Sequence, residues 1–123
     1  MEKYDPHTTP DPEEWNFLDE SERIEMVKLY HEKAKVRLPN ANLHAGIHIA
    51  VENQVALGDE IPVGATVERL MAEGLDRHDA LHAVGEALAH HLHAVMSNPE
   101  TAPSEDAYYR ELESRTAEKW RAS

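Results

Sequence analysis

Two short stretches of this chain carry the same chemistry-bearing pattern, His-x-x-x-His-x-x-x-Glu. The first is His44, His48 and Glu52, within HAGIHIAVENQ; the second is His78, His82 and Glu86, within HDALHAVGEALAHHLH. Four residues of α-helix turn about 400°, so successive members of each set drift by only about 40° and share one face. Two such faces turned toward each other present four imidazoles and two carboxylates to a common point. Imidazole nitrogen and carboxylate oxygen are the ligands of divalent transition metals, and Zn, Fe, Mn, Co or Ni all suit such a set. Six ligands serve two ions bridged by Glu52 and Glu86, or one ion with the carboxylates outside its inner ring of ligands. The spacing leaves both open. The competing reading is a buried His–Glu hydrogen-bond network that fixes helix packing or responds to metal or pH.

The position of the histidines relative to the apolar residues bears on that choice. With His44 at 0° on its helix, Val51, Val55 and Ile47 fall at about −20°, +20° and −60°, and Glu52 at about +80°. Leu81 and Leu92 flank His78 in the same way, and Gly85 and Ala89 leave room for a close neighbour. The imidazoles therefore stand inside an apolar stripe, where each ring has two nitrogens to satisfy. His31, among apolar residues of a preceding helix, and His90, one further four-residue step along, are candidates for an additional ligand. His91 is expected to face outward and His7 to be solvated. Arg69 and Arg77 can hold a ligand carboxylate or a substrate anion, with surface pairing as the default expectation for each.

The elements that must position these residues read as helices throughout. Residues 1–17 hold Pro6, Pro10 and Pro12 and read as a flexible acidic arm, with Trp15 and Phe17 as anchors at its end. Residues 18–123 form a single helical domain with its metal-site core at about 42–96. Asp19 and Glu22 make a capping box for a first helix that ends near Arg37, before Pro39. Asn40 or Asn42 caps the helix of the first His set, which runs to about Leu57. A short helix from Val63 to Glu73 has Gly74 as its C′ residue. Asp76 caps the helix of the second His set, which ends near Met96, and Ser104 starts a last helix to about Arg121. The expected fold is an all-α small bundle of about five helices, with the two His/Glu-bearing helices antiparallel at its centre.

Composition narrows the function further. Twenty-four acidic against 12 basic residues give a formal net charge of −12, which argues against nucleic acid or an anionic membrane as partner. The absence of Cys excludes disulfides and thiolate ligands. No signal-peptide h-region is present, which makes the cytoplasm the expected location. The last helix, with Tyr108, Leu112 and Trp120, is a candidate to cover the bundle or to mediate a homodimer, and a small-molecule ligand at the metal is a further candidate partner. Several known motifs do not fit: Glu-x-x-His of ferritin-like sites and His-Glu-x-x-His of zinc proteases are absent. The His78-Asp79 dyad lacks the outlying His and Asp of HD-type phosphohydrolases. The two His stretches align at an offset of 34 residues, but two copies without a shared aromatic pattern do not make a tetratricopeptide array.

Over about residues 42–90 the chain resembles a family of small bacterial proteins classed as a domain of unknown function (number eighteen forty-one). The residues that carry the resemblance are His44, His48, Glu52, Gln54, Pro62, Arg69, Leu70, His78, His82 and Glu86. It implies a helical fold in which these residues act as a unit, and it brings no activity. From the residues themselves, the expected function is metal binding; a metal-dependent hydrolase is its enzymatic version, and a non-enzymatic interaction or regulatory module is the alternative.

Overall fold

The computed structural model describes residues 3–33 and 41–122, and the side chains at 31–33 and 41–43 fall outside the description. Every regular element among the described residues is helical. In chain order these are α1 (Pro12–Phe17), α2 (Glu20–Lys33), α3 (Ala41–Ala56), α4 (Val63–Ala72), α5 (Arg77–Ser97), α6 (Glu105–Ser114) and α7 (Ala117–Ala122), with 3-10 turns at Gly58–Glu60 and Pro99–Thr101. The all-α expectation holds, and five of the helices have 10 residues or more. Among the described residues, no helix is long and apolar enough to cross a membrane.

Local chemistry accounts for most boundaries. The Asp19 carboxylate accepts from the Glu22 amide at 2.8 Å, and Glu22 reaches back to the Asp19 amide, so the capping box at the head of α2 is formed. Asp76 accepts from the Asp79 amide at 2.8 Å at the head of α5. Gly74 ends α4 with φ 109°, while the Leu75 and Gly74 amides bond to the Leu70 and Met71 carbonyls. That is a Schellman end, with Leu70 and Leu75 both buried as its apolar clasp. Where α2 ends, and whether Asn40 or Asn42 caps α3, lie outside the described residues.

Two differences from the expected helix list have visible causes. Helix α1 arises inside the Pro-containing segment because Asp11 caps it and Pro12 sits in its first turn. The last helix is divided at Arg115, whose backbone is extended. Arg69 donates from Nη2 to the Leu112 and Arg115 carbonyls at 3.0 and 2.8 Å, satisfying the end of α6 from another helix. The Glu73 carboxylate then accepts from the Ala117 amide at 2.9 Å and starts α7.

Two apolar clusters form the core. The larger joins α3, α4, α5, α6 and α7 through Val51, Val67, Leu70, Val84, Leu88, Leu112 and Ala117. The smaller gathers Tyr4, Trp15, Leu18, Val27, Ala45 and Ile49 from the N-terminal segment, α2 and α3. Helix α3 belongs to both, so it is packed on two sides. The segment before α2, read from the sequence as an arm, contributes Tyr4 and Trp15 to this smaller cluster, and its Pro6 is buried as well. Trp15 donates to the Asn53 side chain at 2.8 Å. Phe17 does not anchor it, being 90% exposed.

Helices α3 and α5 run in opposite senses: His44 meets His82, His48 meets His78, and Glu52 meets Arg77. Gly85 permits their close approach, since a Cβ there would lie 2.8 Å from the Ile47 side chain.

Candidate metal centre

The antiparallel pairing brings four of the expected ligands together. His44, His48, His78 and His82 each offer a ring nitrogen, and these nitrogens all lie within 4.8 Å of one another. The Nε2 atoms of His48 and His82 are 3.1 Å apart, and those of His82 and His44 are 3.3 Å apart. Tetrahedral nitrogen ligands about 2.0–2.1 Å from an ion lie about 3.3–3.4 Å from each other. Two of the pairs already stand near that spacing, and the cluster could hold a metal ion. His48 is buried, while His44, His78 and His82 are half-buried and form the side of the cluster nearest solvent.

Glu52 shares the interior with the imidazoles but points to a different partner. Its two carboxylate oxygens accept from the two terminal nitrogens of Arg77 at 2.7 and 2.8 Å, and both side chains are shut off from water. Arg77 therefore holds a carboxylate of the expected ligand set, and the surface pairing expected for it does not apply. Arg77 also donates to the Pro6 carbonyl at 2.9 Å. Burial works against the guanidinium charge, yet the hydrogen bonds and charge of Glu52 outweigh it and raise the pKa of Arg77. The Tyr4 hydroxyl donates to Glu52 at 2.7 Å and lies 3.2 Å from Nδ1 of His48. Burial first, and then the charge and hydrogen bond of Glu52, push the Tyr4 phenol far above its ordinary range.

Glu86 sits apart from the cluster. It is exposed, and its carboxylate accepts from Arg115 of the α6–α7 corner at 3.0 Å. The drift of about 40° per four-residue step, harmless from His78 to His82, has carried it to the α6 side of the helix. His90 follows it, meeting Glu111 at 3.1 Å on the surface. The His31 side chain lies outside the described residues. His91 stacks on Tyr108 at the other end of α5.

A profile of the family described as Domain of unknown function (DUF1841) matches residues 7–114. The chain belongs to this family. The match extends well beyond the 42–90 stretch that carries the resemblance in sequence, taking in α1, α2 and α6. No curated protein and no solved structure matches the chain. Within this DUF1841 member, two of the motif residues serve the scaffold: Gln54 accepts from the Tyr108 hydroxyl at 2.7 Å, and Arg69 secures the end of α6.

Tyr4 is the participant that sequence reasoning missed. It is 40 residues from His44 in a segment with no periodicity, and nothing local marks it. Along with His7 and Tyr30 it separates the cluster from a cleft of about 370 Å³ between the N-terminal segment and α2. The rings of His7 and Tyr30 stand edge-on to His78 at 5.6 and 5.7 Å.

Proposed function

We propose that this protein binds one divalent transition-metal ion through His44, His48, His78 and His82. The observation that carries the reading is the convergence of four imidazoles from two antiparallel helices, with the Nε2 atoms of His44, His48 and His82 at the spacing of ligands around one ion. Two ions would need a bridging carboxylate, and both candidates are engaged elsewhere, Glu52 by Arg77 and Glu86 by Arg115. An all-imidazole set suits Zn, Co, Ni and Fe better than the harder Mn.

A hydrolytic role for the same site has in its favour the half-buried state of His44, His78 and His82. A bound ion would supply a water of lowered pKa. The cleft beside Tyr4 lies behind the rings of His7 and Tyr30 and so does not open onto the four imidazoles. Neither Glu52 nor Glu86 stands ready as the base in this arrangement, so metal binding itself is the better supported function. The acidic surface favours neither nucleic acid nor an anionic membrane as partner.

Elemental analysis by mass spectrometry on tag-free protein, purified without chelator or added metal, tests the reading directly. About one equivalent of a transition metal is expected. Protein that carries none, and takes up none when Zn, Fe, Mn, Co and Ni are offered, would make the four imidazoles a structural network.

A further inference from the structure

The protons around His48 can be placed from geometry. Arg77 engages both oxygens of Glu52, the pairing an ionised carboxylate makes. An ionised carboxylate only accepts, so the 2.7 Å contact with the Tyr4 hydroxyl must carry the proton of that hydroxyl. A phenol has one proton to give. At 3.2 Å from Nδ1 of His48 the same oxygen can therefore only accept, and the hydrogen there belongs to the imidazole. A neutral ring protonated on Nδ1 is bare on Nε2, the atom that lies 3.1 Å from Nε2 of His82. Tyr4, Glu52 and Arg77 are each at most 2% exposed, so the whole chain lies inside the fold. Arg77 also holds the Pro6 carbonyl, so one guanidinium secures both the acceptor of the chain and the backbone that carries Tyr4.

We propose that Arg77, Glu52 and Tyr4 form a positioning chain that fixes the His48 proton on Nδ1 and turns a bare Nε2 toward the other three imidazoles. The use of that lone pair on a metal rests on the reading above; the placement of the proton does not. The N-terminal segment is then a working part of the centre, and Glu52 acts on it through Tyr4.

The test is Tyr4→Phe, which removes one hydroxyl and keeps the ring packed between Trp15 and Tyr30. In metal-free protein, nitrogen NMR of the His48 ring should show Nδ1 protonated and Nε2 bare, and Tyr4→Phe should give a mixture of tautomers. A wild-type His48 protonated on Nε2, or a tautomer unmoved by Tyr4→Phe, overturns the proposal whatever the metal result. Calorimetric titration with zinc should show Tyr4→Phe binding about 10–100-fold more weakly than wild type. Equal affinity overturns the positioning role and leaves metal binding standing. Wild-type protein that binds no zinc or other offered metal overturns the metal reading instead, and the tautomer then decides the chain alone.

Discussion

Single side chains separate the ligands from their neighbours. His48→Ala and His82→Ala each remove a central Nε2, and each should abolish tight metal binding. His91→Ala, on a ring stacked against Tyr108, should leave it intact. Equal binding by the three variants would end the tetra-imidazole assignment. Glu86→Gln should likewise leave affinity unchanged, because its partner is Arg115. Arg77 carries the largest expected stability effect. Arg77→Met strands the Glu52 carboxylate without its cation in the interior, a loss of about 3–5 kcal/mol by denaturant melting. Adding Glu52→Leu should recover much of it, since a buried ion pair is often no more stable than an apolar pair of its size.

Between helices, the decisive contact is Gly85 against Ile47. Gly85→Ala would gain about 1 kcal/mol of helix propensity in α5. It would also force a methyl to within 2.8 Å of the Ile47 side chain, and overpacking of that kind costs about 1–3 kcal/mol. The expected outcome is a net loss of stability in urea melts that disappears when Gly85→Ala is made in an Ile47→Ala background. A loss of the same size in both backgrounds would mean that the helices are not in contact there. Helix ends differ in how legible they are from the chain. Asp19 with Glu22, Asp76, and Gly74 mark helix ends by bonds that close within a few residues, so they are readable from the chain. The division at Arg115 is not, because the group that satisfies the end of α6 is Arg69, more than 40 residues away.

For the molecule as a whole, the four imidazoles tie α3 to α5, and α3 belongs to both apolar clusters, so metal and fold should be coupled. Binding to the folded state alone adds about 2.7 kcal/mol at a ligand concentration 100 times Kd. Chelation should therefore lower Tm, and adding the metal back should restore it. Binding should weaken on acidification and release protons on association, because a ligand imidazole must be neutral. A melting temperature indifferent to both chelator and metal would leave the fold independent of the centre.

What the sequence determined by itself is whatever follows from the helical period. Four-residue spacing places two imidazoles on one face wherever the helix is set, and the apolar stripe around His44 and His78 turns those faces inward. The all-α class follows from the same regularity, whereas the antiparallel sense of α3 and α5 is read from their contacts. What tertiary structure alone decided is the fate of the two carboxylates. Glu52 and Glu86 stand at equal offsets from their histidines and have drifted equally, so nothing local distinguishes them. One meets Arg77 and Tyr4 in the interior, and the other meets Arg115 at the surface. That difference depends on which neighbour packs beside each helix, and long-range contacts of this kind leave no periodic trace in the chain.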